Sequence, residues 1–180
     1  MSVGPDDVQD KIAFARTRLD NLIALGDLPS ASGELREQLL QEFFFHLVGA
    51  TEVLAHVVNE RRNLGVAPED VAVRKIAKKL PPGDLVRAPL DSLYQKTRHR
   101  PLPHDPYSDE GYVFRLLVYR NYIAHSGRAG LFLRIGGSPP ASFYIDPRNR
   151  PQESLRSVQD EAQYMLRLVE NRAQAAIAAL

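Results

Sequence analysis

Three side chains of complementary chemistry stand within six positions in the run Arg120-Asn121-Tyr122-Ile123-Ala124-His125. An imidazole changes protonation near neutrality, so His125 can take up or deliver a proton in a transition state. A guanidinium stays cationic and matches two phosphate oxygens at once, which suits Arg120 to a developing negative charge. The carboxamide of Asn121 can orient either the imidazole or the anion. Proton transfer beside a stabilised phosphate oxyanion, with no metal, is the chemistry open to this set.

The run lies toward the end of a predicted helix over 109–126, opened by Ser108-Asp109-Glu110 and stopped by Gly127. Wound at about 100° per residue, this helix puts Val113, Leu117 and Ala124 in one direction, flanked by Phe114, Val118, Leu116 and Ile123. Arg115, Tyr119 and Tyr122 fall on the opposite arc and are predicted to face solvent. Arg120, Asn121 and His125 fall within the apolar arc and are predicted to point inward. Polar groups on a buried face cost free energy unless paired, so three of them together mark a place where function overrides packing. A structural reading competes: Asn121 and His125 would tie the helix end to a neighbouring backbone, and Arg120 would pair with Glu42, Glu52 or Glu60.

Arg120, the Asn121 that directly follows it, and His125 resemble the Arg-x4-6-His signature of the HEPN superfamily. In that family the motif sits near the C-terminal end of a helix in an all-α bundle. The resemblance implies a metal-independent endoribonuclease that needs no cofactor, acting in toxin–antitoxin systems, antiviral defence or RNA processing. It implies attack of a ribose 2′-hydroxyl on the adjacent phosphate, with Arg120 stabilising the phosphate, Asn121 orienting and His125 acting as base or acid. It also implies a homodimer whose two motifs face one cleft, since a single chain supplies only one such histidine. RNA is then the expected partner, with an antitoxin or regulatory protein as a second. Some family members carry a tyrosine two residues beyond the histidine; here Ser126-Gly127 follows. Other members are not catalytic, which leaves a module that binds RNA, a nucleotide or a protein partner as the alternative.

Several elements must position this run. Apolar periodicity predicts helices over about 5–25, 34–64, 68–80 and 151–178, besides 109–126. Three of them open on proline followed by acidic or amide residues: Pro5-Asp6-Asp7, Pro68-Glu69-Asp70 and Pro151-Gln152-Glu153. The break after the first helix is read at Gly26 and the 29–33 run. The long second helix carries Leu35, Leu39, Phe43, Leu47, Ala50, Leu54 and Val57 inward. The last helix carries a seam of Leu155, Val158, Ala162, Met165, Val169, Ala173, Ala176 and Leu180, with Asp160, Glu161, Arg167, Glu170 and Arg172 on its polar face. Segments 131–135 and 142–145 flank a Gly-Gly-Ser-Pro-Pro turn and predict a small β-hairpin before that helix. The expected fold is all-α: one domain over 1–180, an antiparallel bundle of four to five helices with one hairpin.

Residues 81–108 carry six prolines and predict a long connection with one short helix near 84–97. This neighbourhood is the most basic part of the chain. Arg74, Lys75, Lys78, Lys79, Arg98 and Arg100 are candidate RNA-binding residues forming a phosphate-binding rim, against the plain reading of a solvated surface. Tyr94 and Tyr107 are candidates for base stacking. Glu52 and His56, four apart on the second helix, can meet each other and support His125 from behind.

Bulk composition narrows the function classes. With 180 residues, 44% hydrophobic and 25% charged, the chain can bury a real core. Net charge is +1, so any affinity for nucleic acid must come from a local patch. There is no cysteine, which removes disulfides, zinc–thiolate sites and thiol catalysis. No His-x3-His and no acidic cluster suggests a metal. The charged N-terminus does not read as a signal peptide and no stretch reaches the ~18 apolar residues of a membrane span, so a cytoplasmic protein with no membrane partner is expected.

Overall fold

The structure, a computed structural model, describes residues 3–26, 33–133 and 137–180. Helix α1 (Pro5–Ala24) starts where Pro5 needs no N–H partner, and the Asp7 carboxylate accepts from the Gly4 N–H at 2.7 Å. It buries Val8, Ile12, Ala15, Leu19 and Leu22, which recur at steps of four and three and seat it along α2 (Gly33–Arg61). Helix α2 is the axle of the molecule. Leu40, Phe43, Leu47, Ala50, Leu54 and Val57 are all buried, and α1, α5 (Asp109–Ser126) and α6 (Val158–Ala178) each pack on it. Each buried Leu or Phe side chain contributes roughly 1.5–3 kcal/mol, so this seam organises the bundle. Leu35, predicted inward, lies near the start of α2 and is 45% exposed.

The helix predicted over 68–80 is two pieces. Pro68–Asp70 makes a single 3-10 turn, and α3 (Val73–Lys79) begins after extended residues at Val71 and Ala72. A short α4 (Arg87–Asp91) follows within the proline-rich connection. Strands β1 (Leu131–Leu133) and β2 (Ala141–Phe143) pair antiparallel, with Leu131 opposite Phe143 and Leu133 opposite Ala141. The all-α bundle with a small hairpin before its last helix is therefore the observed fold. Residues 29–32 of the predicted break and 134–135 of the predicted first strand lie outside the described residues.

Two predictions about α6 fail for one reason. Pro151-Gln152-Glu153 does not start a helix, and Leu155 is 80% exposed rather than part of the seam. Residues 152–154 instead extend the hairpin. The Ile145 N–H donates to the Gln152 carbonyl at 2.9 Å and the Ser154 N–H to the Phe143 carbonyl at 2.8 Å. The helix starts only at Ser157, whose hydroxyl accepts from the Asp160 N–H at 3.0 Å. Glu161, predicted on the polar face, is completely buried.

The largest correction concerns α5. Arg115 and Tyr119, predicted to face solvent, are fully buried, while Asn121 and His125, predicted inward, are exposed and Arg120 is half-exposed. The first half of this helix has no solvent arc: Gly111 through Leu116, Val118 and Tyr119 are all buried. The proline-rich connection covers the side left open by α2 and α6. Gly111 allows that approach, since a Cβ there would lie 2.4 Å from the Asp105 carbonyl oxygen and 2.7 Å from Pro106. A helical wheel assumes one wet side throughout, and beyond its exposed first residues Asp109 and Glu110 α5 has one only past Tyr119.

Candidate active site

Two arginine–glutamate pairs leave α5 five residues apart. Arg115 forms a bidentate pair with Glu161 of α6, both at 0% exposure: Nη1 donates to Oε1 at 3.2 Å and Nη2 to Oε2. The Ser154 hydroxyl also donates to this carboxylate, and Tyr107 bonds to Ser154 at 3.2 Å. The guanidinium of Arg115 lies over the rings of Tyr107 and Tyr112. Arg156 covers Tyr107 from 4.6 Å and donates to the Tyr112 hydroxyl at 2.7 Å. Burial pushes the Tyr112 hydroxyl above the usual phenol range, with the Glu161 charge adding to it. Tyr107, considered for base stacking, is instead a member of this internal network. A buried, multiply bonded ion pair joins α5, α6 and the hairpin exit, and it is closed to a ligand.

Arg120 pairs with Glu52 of α2 at 3.4 Å on the surface and donates to the Asn121 side-chain oxygen at 3.3 Å. The ion pair read from sequence with Glu52 is thus present. Helices α2 and α5 run antiparallel, because Gln41 of α2 donates to the Gly127 carbonyl at 2.6 Å while Glu52 meets Arg120. His56 lies one turn beyond Glu52, about 6 Å further from the His125 end of α5. Glu52 therefore contacts the motif at Arg120, and His56 lies a turn further along α2.

The last turn of α5 is firmly held. Gly127 adopts the left-handed conformation (φ 69°) and its N–H returns to the Ile123 carbonyl at 2.8 Å. Glu37 of α2 accepts from the Ala129 N–H, and burial holds its carboxyl above the usual range. His125 sits in this last turn. Among the described residues no side chain or backbone group is bonded to the imidazole.

Asn121, Tyr122 and His125 line one open hollow of about 480 Å³, together with Val118, Thr97, Arg98 and Arg148. Five residues at about 100° each leave Arg120 and His125 about 140° apart around the helix. Arg120 accordingly does not line this hollow, and the cations that do are Arg98 and Arg148. Arg148 is held in place: Nε and Nη2 donate to Asp146 at 2.7 and 2.6 Å, Nη1 donates to the Thr97 carbonyl at 2.8 Å, and the group lies 5.2 Å from the centre of the Phe114 ring. Three of its five donors are thereby used and two are left. Arg150 donates to the Tyr122 hydroxyl and lies over that ring.

The basic candidates divide. Arg98 lines the motif hollow, and Arg74 and Arg100 line a neighbouring one. Lys75 pairs with Asp70 at 2.9 Å, Lys79 donates to the Leu64 carbonyl at 3.3 Å, and Lys78 is exposed on α3 and lines neither hollow. Tyr94 lies under the Arg74 guanidinium. Sequence reasoning missed Arg148 and Arg150. The signal was Asp146-Pro147-Arg148, a turn in which the Asp146 side chain accepts from the Arg148 N–H at 3.0 Å. Nothing in that tripeptide says that the turn closes over α5.

Among the described residues no group of three or more His, Asp or Glu side chains is placed to hold a metal ion, and no helix is long and apolar enough to cross a membrane. Comparison with known proteins finds no family model, curated protein or solved structure that this chain matches.

Proposed function

We propose that the protein is a metal-independent endoribonuclease of the HEPN type, working as a homodimer. One observation carries this reading: Asn121 and His125 stand exposed in the same hollow as Arg98 and Arg148, at the end of a helix that is buried from Gly111 to Leu116 and at Val118 and Tyr119. An accessible imidazole beside two guanidinium groups is the equipment needed for proton transfer at a phosphodiester. His125 takes the proton from the ribose 2′-hydroxyl as O2′ bonds to phosphorus. The bond from phosphorus to O5′ breaks, and O5′ leaves with a proton. The products are a 2′,3′-cyclic phosphate and a 5′-hydroxyl. A second imidazole, His125 of the partner subunit, delivers the leaving-group proton.

The pairing face is the exposed side of α5 and α2. Asn121, Ala124 and His125 are exposed on α5 and Arg128 just beyond it, and Phe45, 61% exposed, shares the stripe of Gln41 and Glu52 on α2. Closing this face on a twofold axis covers Phe45 and brings two motifs together. Roles in a toxin–antitoxin system, antiviral defence or RNA processing are each compatible with such an enzyme, as is a cytoplasmic location. A binding module without catalysis is the second reading. It is favoured by the engagement of Arg120 with Glu52 and Asn121, away from the imidazole.

The test is incubation of the purified protein with mixed RNA in EDTA, comparing wild type with His125→Ala and analysing product ends. Cyclic-phosphate ends from wild type, reduced about 10²–10⁴-fold in the variant, are expected. No cleavage by a folded, dimeric wild-type protein would leave the binding module in its place. Sedimentation at micromolar concentration checks the dimer.

A further inference from the structure

The motif hollow has a neighbour along α5. A second hollow of about 400 Å³ adjoins it, with Arg74, Lys96, Arg100, Glu110 and Phe114 among its lining residues. The two share a floor and a wall. The floor is a single stripe of α5: Phe114 in the second hollow, then Val118, Asn121 or Tyr122, and His125 in the first, at steps of three and four. The wall is the proline-rich connection, which gives Lys96, Arg100 and Pro101 to one hollow and Thr97 and Arg98 to the other. Arg148 stands at the junction, because it lines the motif hollow, lies over Phe114 of the second and bonds to the Thr97 carbonyl between them.

Charge along the groove has one dominant sign. Arg74, Lys96, Arg98, Arg100 and Arg148 face only Glu110 among the lining acids, and Asp146 behind Arg148. In a chain of net charge +1 this is a concentrated basic track. From Phe114 to His125 the floor runs about 16 Å at 1.5 Å per residue. Tyr122, whose ring Arg150 overlies, also lines the motif hollow.

We propose that single-stranded RNA lies along this groove across both hollows. The second hollow is then a subsite for nucleotides flanking the cleaved one, on one side only, and Arg148 is the junction residue that grips the backbone between them. The proposal rests on the RNA reading above and deepens it, since it gives the path and footprint of the strand.

The experiment measures binding apart from cleavage, by fluorescence anisotropy with 2′-O-methyl oligoribonucleotides, which lack the attacking hydroxyl. Wild type, Arg74→Ala/Arg100→Ala, Arg148→Ala and the charge-matched control Arg61→Ala/Arg167→Ala are compared on a dinucleotide and an octanucleotide. Arg61 and Arg167 are exposed and outside the groove. The Arg74/Arg100 variant is expected to bind the octanucleotide about tenfold more weakly with the dinucleotide unchanged. Its salt slope should fall by roughly 1.4, at about 0.7 for each phosphate no longer neutralised. Arg148→Ala is expected to weaken both ligands. Circular dichroism checks that each variant folds. The groove proposal is overturned by an equal loss in the control, by equal affinity of wild type for the two lengths, by equal affinity for polyglutamate, or by no binding at all. Length-dependent binding without cleavage of natural RNA would sink the nuclease reading and keep the groove. Cleavage with unaltered binding in the groove variants would do the reverse.

Discussion

Arg115 and Arg120 stand five residues apart on one helix, each paired with a glutamate from another helix, and they do different work. The first pair is bidentate and wholly buried, and Ser154, Tyr107 and Tyr112 surround it. The second is a single 3.4 Å contact with side chains 36% and 55% exposed. In water an exposed pair contributes about 0–1 kcal/mol, because solvent screens it and side-chain entropy opposes it. Inside the fold, breaking such a pair costs far more, because the survivor keeps its charge without solvent. The buried arginine is therefore committed to structure, while the exposed one can exchange its partner for a ligand or a second subunit. Residue type is the same in both; surroundings separate them.

The sharpest way to test this contrast is at Glu161. Glu161→Ala strands Arg115 in the interior and is expected to cost about 3–5 kcal/mol, read as a lower denaturant midpoint at unchanged slope. Replacing both partners, Arg115→Met with Glu161→Leu, should recover most of that loss. A double variant as unstable as the single one would mean that the surrounding network, not the pair, holds α5 to α6. Gly111→Ala probes how the first half of α5 is covered. Its new methyl meets backbone at 2.4 Å, so a loss of about 1–3 kcal/mol is expected. Weaker binding to the octanucleotide should accompany it, since the displaced connection forms the groove wall.

At the exposed pair, a double-mutant cycle of Arg120→Ala and Glu52→Ala should give a coupling below about 1 kcal/mol. A larger value would erase the distinction between the two pairs. The smallest effect concerns an intermediate case. His46 of α2 is half-buried between Phe14 and Phe45, at ring distances of 5.3 and 5.6 Å. Burial lowers its pKa, with Lys11 and Arg18 adding to the shift and Glu42 opposing it. The folded value lies below the ordinary 6.5, so the unfolded chain binds more protons between the two. The stabilising contribution is full above pH 6.5 and is lost as pH falls from there through the folded value. His46→Gln should flatten that part of the stability profile, measured by denaturation at a series of pH values, while Arg120→Ala should leave it unchanged.

Part of the site was legible in the residues. The Arg120–His125 run, its place near the end of a helix and the Gly127 stop all follow from spacing and cap chemistry, and Glu52 stood among the partners offered for Arg120. The direction of the motif did not follow. A wheel drawn over 109–126 averages the stretch from Gly111 to Tyr119, buried except at Leu117, with an end that is not, and the buried Arg115 and Tyr119 took the place of a solvent face. Arg148 was invisible for a different reason. It reaches the site from beyond the hairpin, through a turn held by Asp146 and a bond to Thr97, 51 residues earlier in the chain.

Residue order alone was enough for the helical class, the hairpin ahead of the last helix, the absence of thiol chemistry and the identity of the candidate acid–base residue. Those properties rest on local rules: apolar period, helix caps, turn residues and composition. Folding in three dimensions was needed to settle which arginine is buried, which cations share a hollow with His125 and which segments line the two hollows along α5. Each of these depends on which segments cover which faces of α5, and burial of that kind is set by contacts between residues far apart in the chain.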